Sequence, residues 1–74
     1  MKERLIDVIK RTFEITEVSD DISQKNCAKW DSMNHLNLIL ELESEFNISI
    51  EPEEITELRN FDDIINILTL KGVI

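Results

Sequence analysis

Leu5, Ile9 and Phe13 fall four residues apart, with Ile6 and Val8 beside them and charged side chains between. That period predicts an amphipathic helix from Lys2 to about Ile15. A polar stretch from Thr16 to Asp31 follows. Its Ser19, Asp20, Asp21, Ser23 and Asn26 favour turns, while Val18, Ile22 and Trp30 can tack it onto a core. A connection of such length in a short chain is either disordered or functional.

A second helix is predicted from Asp31 or Ser32 to about Phe46, with Asn47 as its stop. Pro52 suits the first position of a short third helix, because its missing N–H is not needed there. Glu53 and Glu54 suit that helix's positive end, and Leu58 marks its expected finish. From Phe61 the apolar residues Ile64, Ile65 and Leu68 return on one helical face, and Gly72 offers a C-terminal cap. Only Asn47 to Ile50 alternates as a strand would, and it has no partner strand in the pattern. The predicted class is all-α. Three long helices and one short third helix form a small four-helix bundle, with a long loop between the first two helices.

Projection of Met33 to Phe46 at about 100° per residue separates two apolar stripes. Leu38, Ile39, Leu42 and Phe46 form one, and Met33, Leu36 and Leu40 the other, with Asn34, Asn37, Glu41 and Glu45 on a polar flank. The helix carries more apolar surface than one core face needs. Its second stripe is either left exposed for partners or buried between neighbouring helices.

The chain's 74 residues suit one domain, residues 1–74, around one small core. Sixteen acidic against eight basic residues give a net charge of −8, which repels nucleic acid and anionic lipid and points to basic protein partners. With 42% hydrophobic residues at helical spacing, the chain is not an acidic disordered tail. No apolar run approaches the roughly 20 residues that span a bilayer, and no signal-peptide pattern opens the chain. One cysteine, Cys27, forms no internal disulfide, and no His/Cys cluster has zinc-site spacing. A soluble cytoplasmic protein, monomeric and without membrane insertion, is the expectation.

Asp31-Ser32 places a hydroxyl where unpaired amides and the helix dipole favour an anion. The dipeptide alone also reads as an ordinary N-cap. The wider pattern says more. Trp30-Asp31-Ser32-Met33, followed by Leu36, Leu38, Ile39, Leu42, Glu43, Glu45 and Phe46, resembles the acyl carrier proteins, which use an Asp-Ser-Leu or Asp-Ser-Met motif. The likeness continues through Ile48, Ile50, Pro52, Glu53, Glu54 and Ile55 and covers essentially the whole chain.

That resemblance implies a non-enzymatic carrier. Ser32 is the residue to which a phosphopantetheinyl transferase, using Mg2+, attaches 4′-phosphopantetheine from coenzyme A, and Asp31 helps present the serine. The arm's thiol, not Cys27, holds the acyl group. Met33, Leu36 and Leu40 match positions that contact partner enzymes, and Glu41 and Glu45 match an acidic surface that draws basic docking patches. The implied partners are the transferase, an acyl-loading ligase or acyltransferase, and downstream acyl-using enzymes. Asn34 and Asn37 stand where fatty-acid carriers commonly have acidic residues, and Trp30 replaces a small one. The Trp-Asp-Ser-Met-Asn-His-Leu-Asn-Leu-Ile stretch is more similar to stand-alone carriers of specialised pathways, such as acyl modification of sugars or polysaccharides. An aminoacyl or peptidyl carrier and a cofactor-free acidic interaction module are the alternatives.

The remaining candidates carry less. His35 near Ser32 has no acid at a spacing that orients it as a general base, so a solvated or capping histidine is expected. Cys27 lies in no redox motif. Asp20 with Asp21, and Glu51 with Glu53 and Glu54, lack the ligand ladder of a calcium loop, and no metal site is expected. Trp30 is expected to anchor the loop against the bundle.

Overall fold

Four helices account for the regular structure in a computed structural model that describes residues 2–73. They are α1 (Lys2–Phe13), α2 (Ser32–Phe46), α3 (Pro52–Ile55) and α4 (Phe61–Leu70), and no strand occurs among the described residues. The all-helical bundle predicted from periodicity is the observed architecture. Helices α1 and α2 run in opposite directions, because Arg4 meets Glu45 while Arg11 meets Glu41.

The three longer helices end by one device. Glu14, Asn47 and Gly72 each take a left-handed conformation, with φ of 55°, 54° and 79°. The next amide then reaches back five residues, Ile15 to Lys10, Ile48 to Glu43 and Val73 to Leu68, at 3.2, 3.2 and 2.9 Å. This closure satisfies helix-end carbonyls and turns the following apolar side chain inward. Ile15, Ile48 and Val73 accordingly all pack against the core.

Two predicted boundaries change. Helix α1 stops at Phe13 instead of about Ile15, because Glu14 turns left-handed and Ile15 becomes the core-facing residue beyond the cap. Helix α3 ends at Ile55 instead of near Leu58. Glu57 and Leu58 donate to the Glu54 and Ile55 carbonyls in tight turns, which swing Leu58 into the core at 2% exposure.

One face of each long helix meets in a single core. Leu5, Val8, Ile9 and Phe13 come from α1, Leu38, Ile39, Leu42 and Phe46 from α2, and Phe61, Ile64, Ile67 and Leu68 from α4. The long loop is held as well. Ile22 and Trp30 are buried, Val18 and Cys27 pack at the margin, and Asn26 bridges Ser23 N–H and the Asp21 carbonyl. Its middle also pairs with the segment before α4. Gln24 N–H donates to the Arg59 carbonyl at 2.9 Å and Phe61 N–H to the Ile22 carbonyl at 3.0 Å. Asn60 then caps α4, its side-chain oxygen accepting from Asp63 N–H at 2.8 Å. Order in this loop therefore comes from its own turns and from backbone pairing across the bundle.

The candidate attachment site at the start of helix α2

Asp31 lies just outside α2 in an extended conformation, and its carboxylate accepts the Asn34 N–H at 2.8 Å. Its backbone carbonyl accepts the His35 N–H, also at 2.8 Å. Asp31 is thus the N-cap, which resolves the choice left open between Asp31 and Ser32. Ser32 becomes the first helical residue, with an exposed side chain. Among the described residues its hydroxyl has no protein partner, nor do the amides of Ser32 and Met33. The helix end therefore offers a hydroxyl beside two unused donors, the arrangement that accommodates a phosphodiester oxygen.

The two apolar stripes of α2 separate as the projection drew them. Leu38, Ile39, Leu42 and Phe46 are buried, whereas Met33, Leu36 and Leu40 are 74%, 57% and 63% exposed. The exposed three start beside Ser32 and follow one edge of the helix, an apolar surface too continuous to be scattered single residues.

Glu41 and Glu45 take the opposite flank, toward α1. Arg11 Nη2 lies 2.9 Å from Glu41 Oε1 and 3.7 Å from Glu45 Oε1. Arg4 Nε donates to Glu45 Oε2 at 3.0 Å, and Arg4 Nη2 to the Glu45 backbone carbonyl at 2.7 Å. The Arg4 guanidinium also lies over the Phe46 ring, 4.9 Å from its centroid. These carboxylates already face cations of their own chain, so a basic partner would compete with Arg4 and Arg11 for them. Reading α2 alone could not reveal those arginines.

His35 is neither solvated nor a cap, which corrects the sequence expectation. Trp30 Nε1–H donates to His35 Nδ1 at 3.0 Å, and His35 Nε2 lies 2.8 Å from the Ile55 carbonyl. An indole nitrogen only donates and a carbonyl only accepts, so the imidazole is the neutral tautomer with its proton on Nε2. The side chain joins the loop, α2 and α3. Trp30, 3% exposed, anchors the loop as expected. Its ring lies 5.3 Å from that of Phe13 and 6.2 Å from that of His35. An open groove of about 580 Å³ borders Ser32, lined by Gln24, Trp30, Asp31, His35 and Leu36.

Asn34 and Asn37, noted as departures from acidic residues, form a short polar chain. Asn34 Nδ2 donates to the Lys29 carbonyl at 2.7 Å, and Asn37 Nδ2 to Asn34 Oδ1 at 3.2 Å. A carboxylate at position 34 cannot make the first of these bonds. Cys27 is half-buried at the core margin and Asp21 accepts a hydrogen bond from Ser19 Oγ. Among the described residues, no group of three or more His, Cys, Asp or Glu side chains is placed to hold a metal ion, and no helix is long and apolar enough to cross a membrane.

No family model matches the chain. It is 29% identical over 75 residues to an acyl carrier protein of Syntrophus aciditrophicus, an alignment covering 99% of this chain and 94% of that protein. It is 30% identical over 71 residues to an acyl carrier protein of Petrotoga mobilis, covering 96% of this chain and 81% of that protein. Near-complete alignment with these two proteins, on a four-helix architecture, shows that the chain belongs to the acyl carrier protein family.

Proposed function

We propose that the chain holds acyl groups as thioesters on a 4′-phosphopantetheine arm bonded to Ser32 Oγ and presents them to separate enzymes. The observation that carries this reading is the exposed Ser32 hydroxyl at the first position of α2, which with the adjacent Ser32 and Met33 amides has no partner among the described residues. Attachment forms a bond from Ser32 Oγ to the phosphorus next to pantetheine in coenzyme A and breaks that phosphorus's bridge to the second phosphate. Adenosine 3′,5′-bisphosphate leaves with that bridging oxygen, the hydroxyl proton is lost, and the transferase supplies Mg2+. When bound, the arm supplies a terminal thiol.

In this reading the chain's own residues do three things. Asp31 caps α2 and thereby fixes where Ser32 sits. The first-turn amides and the helix dipole offset the negative charge gained at Ser32, including its repulsion from Asp31. Met33, Leu36 and Leu40 form the docking strip for the phosphopantetheinyl transferase, for an acyl-loading ligase or acyltransferase, and for the enzymes that use the acyl group. Glu41 and Glu45 contribute to docking only where a basic partner displaces Arg4 or Arg11. A single domain over residues 1–74, a monomer and a cytoplasmic location belong to the same proposal. Trp30, Asn34 and Asn37 support a carrier dedicated to a specialised pathway over one serving general fatty-acid synthesis.

Intact-protein mass spectrometry after incubation with coenzyme A, Mg2+ and a broad-specificity transferase tests the assignment. The wild-type chain gains one arm and Ser32→Ala gains none. If the wild type stays unmodified with several competent transferases, the assignment fails, and a partner that still binds Ser32→Ala then favours the cofactor-free interaction module. Loading of the modified chain with acyl and aminoacyl donors separates an acyl from an aminoacyl carrier.

A further inference from the structure

A tethered acyl chain has two places to go, out into solvent or inward between helices. Apolar burial increasingly favours the second as the chain lengthens. From Ser32 the inward direction leads past the start of α2 toward α3, and here that space is filled. The Trp30 indole, 3% exposed, packs 5.3 Å from the fully buried Phe13 ring of α1 and 6.2 Å from the His35 imidazole. His35 in turn donates to the Ile55 carbonyl at 2.8 Å, which fixes the end of α3 against the first turn of α2. Opening a passage between α2 and α3 at this point would break the Ile55 bond and unseat the indole's only donor from Nδ1, leaving partly buried polar groups unpaired. The groove outside this barrier, lined by Gln24, Trp30, Asp31, Ser32, His35 and Leu36, is open to solvent, so a long alkyl tail lying in it stays largely in water, whereas a short or polar group loses little by remaining there.

We propose that Trp30 and His35 are specificity-determining residues that bolt the α2–α3 cleft shut behind Ser32, so that the carried group stays outside the bundle and belongs to the class of short or polar acyl groups. The inference rests on the assignment of the arm to Ser32. His35 acts here through the position of α3 and of the indole.

The transferase, supplied with acetyl- or dodecanoyl-coenzyme A, would install each cargo together with its arm on the full chain. In the wild type, methyl resonances of Leu38, Ile39 and Ile64 superpose for the two forms, and hydroxylamine cleaves both thioesters at the same rate. In His35→Ala the dodecanoyl form alone shows shifted core methyls and cleavage slowed several-fold. His35→Gln, which keeps a donor and an acceptor at this position, restores the wild-type pattern. The wild-type comparison decides the matter even if His35→Ala does not fold. Core shifts or slowed cleavage in the dodecanoyl wild type overturn this inference and leave the arm at Ser32 intact. A wild-type chain that takes up neither arm overturns the Ser32 assignment and this inference with it.

Discussion

The Asn34 side-chain amide donates to the Lys29 carbonyl at 2.7 Å, tying the first turn of α2 to the end of the loop that delivers Trp30 and Ser32. The amide is uncharged where an acidic residue would favour the helix dipole, so the local hydrogen bond and the dipole oppose each other. Replacing the donor by a carboxylate in Asn34→Asp loses a bond of about 1 kcal/mol and sets an anion against a carbonyl. The gain from the dipole is about 0.3–1 kcal/mol at an exposed site. The expected outcome is a net loss of up to about 1 kcal/mol in urea unfolding, with the Trp30 fluorescence altered in the folded state. A variant more stable than wild type would show that the dipole dominates.

Asp31 has two separable duties, capping and charge. Asparagine caps a helix about as well as aspartate, so Asp31→Asn should change stability by only a few tenths of a kcal/mol, whereas Asp31→Ala should cost about 1 kcal/mol. If the carboxylate's charge helps present Ser32, both variants are modified slowly by the transferase, and the Asn variant isolates that effect from folding. Equal modification rates for wild type and Asp31→Asn would reduce Asp31 to its cap.

The strip and the flank of α2 should behave differently in docking. Met33→Ala and Leu40→Ala remove exposed side chains and should shift stability by less than about 0.5 kcal/mol while lowering kcat/KM for the transferase. Glu41→Gln removes a partner of Arg11 in an exposed pair and should also cost about 0–1 kcal/mol, less at high salt. Its effect on kcat/KM should be smaller than that of Leu40→Ala, because Arg11 already offsets much of the Glu41 charge. Steady-state kinetics at two salt concentrations would decide between these contributions.

The sequence made the α2 stripes and the Asp31-Ser32 start readable, since both depend on spacing within one helix. Features that depend on two elements were not. Arg4 and Arg11 pair with Glu45 and Glu41 only because α1 lies antiparallel to α2, and nothing in either segment states that geometry. The His35 bond ends on a backbone carbonyl of Ile55, a partner with no side-chain signature. Helix ends failed for local reasons. Glutamate is no left-handed stop signal, so Ile15 looked like one more helical residue. Leu58, three positions after Ile55, looked like the continuation of a helix face, although a tight turn buries it. The Asn60 cap, with Asp63 three residues on, was a readable N-terminal signal that the apolar pattern around Phe61 overshadowed.

Glu54 links the α3 cap to the end of α4, and its acidity reflects both contacts. Its carboxylate accepts the Glu51 N–H at 2.8 Å and lies 2.9 Å from Lys71 Nζ. The bond from the Glu51 backbone first, and the Lys71 bond second, hold its pKa below the ordinary glutamate value of 4.5. A carboxyl whose folded pKa is depressed stabilises the fold fully above its unfolded value and loses that contribution as pH falls through the folded value. The stability gap between wild type and Glu54→Gln should therefore be constant at neutral pH and shrink as the solution is acidified below about 4.5. Urea unfolding of both chains across that range measures the gap. A gap that grows on acidification would contradict the sign.

Glu14 is the least suitable of the three left-handed helix closures. A side chain with Cβ costs about 1–2 kcal/mol in this conformation, asparagine is tolerated better, and glycine bears no such cost. Gly72 already supplies glycine at the end of α4, and Asn47 supplies the next best residue at the end of α2. Glycine at position 14 also frees the unfolded chain, which returns part of the gain. The Glu14 side chain is exposed, so its removal forfeits little packing. Glu14→Gly should therefore stabilise the protein by about 0.5–1 kcal/mol, and Asn47→Gly by less. In a chain of 74 residues the first change should raise Tm by a few degrees, with urea m-values unchanged in both variants. A destabilised Glu14→Gly would mean that the helix end draws more from the glutamate side chain than its backbone conformation costs.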